Sequence, residues 1–217
     1  MRDGFWQEIE ERRFRWNVLA HPFYERWAVG ELVSGELAIY ASEYEHGVSA
    51  IAAATARAAS LDGGRFDRAA VEEAAHVSCW RSFAKATGWG ASAWAYGEEP
   101  LPETVECAAR WQGDELRTLP EHLVTLQAIA AAESAVAEVM LSGLLRHYGF
   151  EDGPSTAYFS LHAEANETGR IAREALDPLL SNLDQVALLD QAEAVHRSYW
   201  LLLDGVESLA HRTCHSY

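Results

Sequence analysis

The stretch TLPEHLVTLQAIAAAESAVAEVMLSGLLRHYG, residues 118–149, decides the fold class. Thr118 and Glu121 have the spacing of a capping box, which satisfies free backbone N–H groups at the start of a helix. The residues that follow are rich in alanine and leucine, the strongest helix formers, and glycine is typical just beyond a helix end. The stretch therefore predicts one long helix that reaches Tyr148 and stops at Gly149.

The rest of the chain has the same helical character. Alanine, leucine and glutamate dominate, and no alternation of β-branched residues lasts for the length of a strand. We therefore predict an all-α fold, a bundle of seven to eight helices. At roughly 100 to 200 residues per domain, a length of 217 residues favours one domain over 1–217 rather than two small ones.

Caps and breakers predict where the other helices begin and end. Ser34, Asp67 and Ser155 are predicted N-caps, because their side-chain oxygens accept hydrogen bonds from free backbone N–H groups. The pair Asp177-Pro178 predicts a helix break. The predicted helices cover residues 5–19, a short segment after Pro22, 34–60, 67–88, 103–112, 155–176 and 184–210, and residues 89–102 are a predicted loop.

Charge and composition exclude several classes of function. Asp and Glu number 33 against 17 Lys and Arg, and the formal charge of −16 repels phosphate backbones and anionic lipid. We therefore expect no nucleic acid and no membrane as partners. No apolar run approaches the roughly 18 residues of a membrane span, and the first residues lack a signal-peptide pattern. Three scattered cysteines suit a reducing compartment, so we predict a cytoplasmic protein.

One carboxylate falls inside an apolar helix stripe. In the helix over 118–148, Glu133 shares the three-four spacing of Leu126, Ile129, Ala137, Met140 and Leu144. Its sequence neighbours are mostly alanines and include no cation. Because a buried carboxylate needs a partner or a metal, Glu133 is the group that a purely structural role explains least well.

Three further helices each place acids or imidazoles among apolar residues. These groups are Glu73 and His76 beside Trp80 and Phe83, Glu43 between Tyr40 and Ile51, and His162 in the stripe of Tyr158, Ala165, Gly169 and Ala172 with Asn166 beside it. Carboxylates and imidazoles on inward faces are the ligands that first-row metal ions take in helical bundles. The combination favours iron or manganese.

Each of these groups also has an ordinary structural explanation. Glu73 and His76 fit a solvated helix face, and His162 fits a hydrogen-bonded core histidine. Glu133 fits a salt bridge to Arg146 or Arg170 from elsewhere in the fold. Spacing alone leaves both interpretations open.

Longer runs of the sequence resemble known families. HPFYERW at 21–27, GEL at 30–32 and YASEY at 40–44 resemble the opening of the thiaminase II (TenA) and pyrroloquinoline-quinone synthase group, which has the haem-oxygenase-like all-α fold. HVSCWRSF at 76–83, Glu133, HYGF at 147–150 and YFSLHAEA at 158–165 look more like its branch of haem-oxygenase-like di-iron oxidases and oxygenases. The resemblance spans nearly the whole chain and implies no haem.

The resemblance implies five metal ligands, Glu43, Glu73, His76, Glu133 and His162. These are also the residues that the apolar stripes select. Members of this branch often carry an Asp and a second His where this chain has Asn166, a weak amide ligand, and Gly169, which leaves a hollow. The resemblance therefore implies one or two iron ions, with manganese as the alternative, the second ion being loosely held or absent.

The first functional hypothesis is a non-haem iron oxidase or oxygenase that activates dioxygen on a small organic substrate. Glu43 and Glu133 are its predicted catalytic carboxylates, and the predicted pocket wall consists of Tyr40, Tyr44, Trp80, Tyr158 and Gly169. The resembled families also imply a homo-oligomer, with a dimer favoured.

Two other hypotheses remain. A metal-free TenA-like protein would bind or transform a small heterocyclic compound in the same cavity, which Asn166 and Gly169 favour. Thiaminase chemistry itself is disfavoured because residues 128–145 contain no cysteine nucleophile. A helical scaffold is the third hypothesis, and Glu133 argues against it since an apolar residue there would be more stable.

Overall fold

Nine α-helices make up most of the part of the chain that the computed structural model describes, which is residues 2–88, 99–164 and 167–214. They are α1 (Arg2–Arg15), α2 (Pro22–Val29), α3 (Ser34–Asp62), α4 (Asp67–Ala86), α5 (Pro102–Gln112), α6 (Leu119–His147), α7 (Ala157–Ala163), α8 (Glu167–Leu176) and α9 (Gln185–Cys214). These residues also form two 3₁₀ turns, Val18–Ala20 and Leu180–Asn182, and no strand. The predicted all-α fold is confirmed.

The three long helices α3, α6 and α9 form the centre of the bundle. α3 packs against α4, α5, α6 and α9, and α6 also contacts α2, α7 and α8. α1 covers α9 from outside. The facing sides of these helices share a core of buried apolar side chains, in which the largest are aromatic. Buried polar and aromatic side chains project into this core from α3, α4, α6, α7 and α9.

The helix predicted from residues 118–149 is α6. The backbone N–H of Thr118 donates a hydrogen bond to Oε2 of Glu121 at 2.7 Å, as a capping box requires. The helix ends at His147, and Gly149 follows with a φ of +73°. Its predicted limits are therefore confirmed to within a residue.

Among the described helices, α6 alone is long and apolar enough to cross a membrane, with a mean hydropathy of 1.6 over an 18-residue window. Core helices of soluble proteins pass the same test. In the structure α6 packs against five other helices, α2, α3, α7, α8 and α9.

A glycine lets α2 and α6 approach closely. A Cβ atom at Gly143 would lie 2.6 Å from the indole ring of Trp27 and 3.1 Å from the Trp27 carbonyl oxygen. Trp27 Nε1 donates a hydrogen bond to the carbonyl of Met140 at 3.1 Å. Only a residue without a side chain fits at position 143 in this arrangement.

Two predicted helix starts differ by one residue. Val33 and Phe66 precede the first turns of α3 and α4, so Ser34 and Asp67 are the first helical residues rather than the caps. The N–H of Val33 is satisfied instead by Oε2 of Glu36 at 2.8 Å. Most of the predicted loop over 89–102 lies outside the described residues.

The single helix predicted over residues 155–176 is wrong. Thr156 precedes α7, which ends at Ala163; Glu164 is extended, with φ −77° and ψ 172°, and α8 begins at Glu167. No glycine or proline marks this break, so contacts with the rest of the bundle override the helical propensity of the segment.

Candidate metal centre and aromatic cavity

Three predicted ligands meet in the structure. Each of Glu73, His76 and His162 offers a ligand atom, and these three atoms lie within 4.8 Å of one another. Glu73 and His76 come from α4 and His162 from α7, two helices in direct contact. Glu73 and His162 are each only 6% exposed, and His76 is half-buried. These side chains therefore form a small buried polar group and not a solvated helix face.

Glu73 is held by neighbours on both of its oxygens. His76 Nδ1 lies 3.1 Å from Glu73 Oε2, one helical turn along α4. The hydroxyl of Thr168, at the start of α8, donates to Glu73 Oε1 at 3.1 Å. The imidazole rings of His76 and His162 lie 4.5 Å apart. The carboxylate is thus oriented toward the two imidazoles before any ligand binds.

Glu133 of α6 joins this group through His162. Its Oε1 lies 3.1 Å from His162 Nε2, whereas no salt bridge among the described residues joins it to Arg146 or Arg170. Arg170 pairs instead with Glu167 and Glu174. The carboxylate that the apolar stripe singled out therefore has an imidazole partner rather than a guanidinium.

The hydrogen bond of Nδ1 determines the tautomer of His162. Nδ1 lies 2.7 Å from the carbonyl oxygen of Tyr158, and because a carbonyl only accepts, Nδ1 carries the proton. Burial lowers the pKa of His162, and the neighbouring His76 lowers it further. The neutral ring then presents the Nε2 lone pair to the Glu133 carboxylate. Two acceptors at 3.1 Å need a shared proton or a cation between them.

The break between α7 and α8 brings Thr168 into this group. In a continuous helix, positions 162 and 168 would be about one and two-thirds turns apart and would face different sides. The extended residue Glu164 separates the two helices, so His162 and Thr168 both reach the Glu73 region. The sequence prediction missed Thr168, because it assumed one helix and because no spacing signal marks a lone threonine.

Glu43, another predicted ligand, bonds to a backbone group instead. Glu43 is buried on α3, and its Oε2 accepts a hydrogen bond from the backbone N–H of Leu101 at 3.0 Å. Leu101 immediately precedes α5, so Glu43 places its charge at the positive end of that helix. Asn166 lies outside the described residues. Gly169 is buried on α8, but it is not among the described residues of the cavity wall.

An aromatic cavity adjoins this group of candidate ligands, Glu73, His76, Glu133 and His162. Glu133 and His162 belong both to that group and to the cavity wall. The four aromatic residues predicted as a pocket wall, Tyr40, Tyr44, Trp80 and Tyr158, all line it, together with Trp111, Tyr199 and His196, which the sequence analysis did not assign to it.

The rings of the wall are in continuous contact. Tyr158 stacks on His162 with ring centroids 4.1 Å apart, and Trp80 meets Tyr158 edge-on at 4.9 Å. Tyr44 contacts Trp80 at 5.0 Å and Tyr199 at 5.3 Å. Such a wall offers faces and edges that a flat aromatic ligand can contact on several sides.

Tyrosine hydroxyls bond to one another beside the cavity. Tyr24 lies 2.7 Å from Tyr40, hydroxyl to hydroxyl, and it also bonds to the hydroxyl of Tyr199. Burial raises the pKa of all three phenols, so they are neutral donors and acceptors at pH 7. Tyr24 carries one proton, so it donates to one neighbour and accepts from the other.

Comparisons with known proteins fit this architecture. No family model matches the sequence. A 4-aminobenzoate synthase of Chlamydia muridarum is 28% identical over 201 residues, which cover 87% of this chain and 84% of that protein. A 4-aminobenzoate synthase of Nitrosomonas europaea is 25% identical over 224 residues, which cover 93% and 90%.

The solved structures include a TenA homologue from Pseudomonas syringae pv. tomato. It matches with a TM-score of 0.77 at 16% identity, over 95% of this chain and 92% of that one. The part of the sequence resemblance that concerned the fold is therefore confirmed, whereas the di-iron branch stays a prediction. The chain has the helical fold of the TenA and haem-oxygenase-like proteins.

Proposed function

We propose that this protein is a metal-dependent enzyme of the oxidase or oxygenase type that forms 4-aminobenzoate in the aromatic cavity. One observation carries the proposal: the ligand atoms of Glu73, His76 and His162 lie within 4.8 Å of one another, and Glu133 lies 3.1 Å from His162. A helical protein without metal chemistry would gain little from two acids and two imidazoles at the edge of its core.

The donor set fits a first-row divalent metal ion. Glu73, His76, Glu133 and His162 would hold one iron ion, with manganese as the alternative, because carboxylates balance its charge and imidazoles add neutral nitrogen. When bound, such an ion supplies open positions and the electrons with which dioxygen is activated. Glu43 is engaged with Leu101, so our proposal does not include it among the ligands.

Other groups of the chain prepare these ligands. The Tyr158 carbonyl fixes the His162 tautomer, and the Thr168 hydroxyl fixes one oxygen of Glu73. Tyr44, Trp80 and Tyr158 keep water from the adjacent space and present ring faces to a planar substrate. The hydroxyls of Tyr24, Tyr40 and Tyr199 remain protonated beside it.

The relatives supply the proposed product. Both 4-aminobenzoate synthases align over more than four-fifths of this chain, and 4-aminobenzoate is a flat ring of a size that aromatic walls accommodate. In this proposal the aromatic amine would form in the cavity that has Glu133 and His162 in its wall.

The proposal is tested by metal analysis combined with complementation. The full chain, purified from iron-supplemented cells, is expected to contain iron or manganese near one ion per chain. Its gene is expected to restore growth of a bacterial strain that requires 4-aminobenzoate. The Glu133→Ala variant is expected to lose both the metal and the growth, since it removes a charged ligand beside His162.

A matched control separates these effects from general damage. Glu138→Ala makes the same change at an exposed position of the same helix and is expected to behave as the unmodified protein. A metal-free protein that still restores growth would contradict the metal-dependent mechanism. Failure of the metal-loaded protein to restore growth would contradict the proposed product.

A further inference from the structure

The aromatic cavity has a second polar region. Arg13 and Asn17, from α1 and the turn that follows it, line the same cavity as His196 of α9. None of these three side chains belongs to the group around Glu73. The proposed function assigns no role to Arg13, Asn17 or His196.

His196 is buried with an unused nitrogen. It is only 6% exposed, and its Nε2 has no hydrogen-bond partner within the described part of the chain. Burial and the nearby Arg13 lower the pKa of His196 to about 4, so the ring is neutral at pH 7. A buried polar nitrogen without a partner costs free energy, which a ligand that bonds to it would recover.

Arg13 is the only lysine or arginine among the described residues of the cavity wall. Its guanidinium lies 2.8 Å from Glu10, whose side chain is half exposed. Ion pairs of this exposed, one-turn kind contribute little, so Glu10 is a weak competitor for an incoming anion. The formal charge of the chain is −16, so its overall field repels anions. The guanidinium of Arg13 gives this part of the cavity wall a positive charge.

The two polar regions lie on different parts of the wall. His196 sits one turn before Tyr199 on α9, and ring contacts lead from Tyr199 through Tyr44, Trp80 and Tyr158 to His162. A molecule that reaches both regions must cover this aromatic surface. It needs an apolar, planar middle and an anionic end.

We propose that Arg13 and His196 form a carboxylate subsite that orients an aromatic carboxylate in the cavity. Arg13 supplies the charge, and the neutral imidazole supplies an N–H donor, which together satisfy both oxygens of a carboxylate. The ring of the ligand then lies against Tyr44 and Tyr199. This inference rests on the proposed function only in assuming that the cavity takes a small aromatic molecule.

The test compares two probes of nearly identical shape and different charge. Benzoate and benzamide are titrated into the full chain by calorimetry at pH 7, in excess chelator and without oxygen. Benzoate is expected to bind at least about tenfold more tightly than benzamide, as a charge-assisted hydrogen bond in a partly buried site predicts. Arg13→Gln and His196→Leu are each expected to remove most of that preference, mainly by weakening benzoate binding.

Arg15→Gln is the matched control. It removes the same charge from the same helix, at an exposed position that does not line the cavity, and is expected to keep the preference. Equal affinities for the two probes, no saturable benzoate binding, or equal effects of Arg13→Gln and Arg15→Gln would overturn the subsite.

Two features keep this test decisive. Arg13 is partly exposed and its replacement leaves the core intact, so the result stands even if His196→Leu does not fold. Metal and dioxygen are absent from the titration, so failure of the subsite and failure of the metal-dependent function are separate results.

Discussion

The hydroxyl of Thr168 donates a hydrogen bond to Oε1 of Glu73 at 3.1 Å, across two helices and 95 positions of sequence. Without this bond, His76 alone would hold the Glu73 carboxylate, through its other oxygen. A side chain outside the proposed ligand set thereby orients one of the proposed ligands.

Replacement of this hydroxyl is expected to weaken metal binding. Thr168→Val keeps the shape and removes the donor, and metal affinity is expected to fall by about 10- to 100-fold, as for other residues that orient ligands. Competition with a chromophoric chelator measures the change. Thr168→Ser restores the donor and should recover most of the affinity, whereas an unchanged affinity in Thr168→Val would show that the hydrogen bond does not orient the ligand.

Glu43 is expected to stabilise the fold without binding the metal. Its bond to the Leu101 N–H is partly buried and charge-assisted, so Glu43→Ala should lower the free energy of unfolding by about 1–3 kcal/mol and leave the metal content unchanged. Urea denaturation and elemental analysis of the same samples check both statements. Glu43→Gln keeps an acceptor oxygen and should lose less stability. Loss of metal in Glu43→Ala would favour the ligand role that the sequence resemblance implied.

Gly143 is expected to tolerate no side chain. The Cβ of alanine would lie 2.6 Å from the Trp27 ring, so Gly143→Ala should destabilise the protein by about 1–3 kcal/mol through overpacking. Thermal and urea unfolding measure the loss. Gly4 on α1 has nothing within 4 Å of an added Cβ, and Gly4→Ala should be neutral or slightly stabilising. Equal stability of the two variants would contradict the close packing of α2 and α6.

His122 is expected to make the fold sensitive to acid. Neither ring nitrogen has a partner among the described residues, and burial, together with Arg117 and Arg57, lowers the pKa of His122 to about 4. The unfolded chain has a histidine pKa near 6.5 and binds the proton first, so stability falls as the pH drops from about 6.5 to 4.

The matching experiment removes this histidine. His122→Leu should reduce the difference in urea midpoint between pH 7 and pH 5, whereas His46→Gln, at an exposed position, should not. His196 adds a pH dependence of the same sign, so the variant should keep part of the slope. An unchanged slope in His122→Leu would show that folding does not lower the pKa of His122.

Much of the fold could be predicted because its signals are local. The capping residues Thr118 and Glu121, the alanine-rich stretch after them and the glycine at 149 are consecutive in sequence and predict α6 to within a residue. The apolar stripe of the same helix also placed Glu133 at the interior, where it meets His162. Periodicity therefore shows which side chains face inward.

Periodicity does not show which partner an inward-facing side chain contacts. Glu43 and Glu73 both lie on buried helix faces, yet one carboxylate bonds to Leu101 and the other lies beside two imidazoles. The break at Glu164 and the contact of Thr168 depend on how α7 and α8 pack against α4, which no local pattern encodes. Distant contacts decided these features.

Two of the indoles in the cavity wall are buried, which has a practical consequence. Trp80 and Trp111 are shielded from water, at 0% and 1% exposure, and both stand in direct contact with the space where a small molecule would sit. Indole emission shifts and is quenched when its surroundings change. The native protein therefore carries its own optical reporter, and candidate compounds can be screened by fluorescence without any attached label.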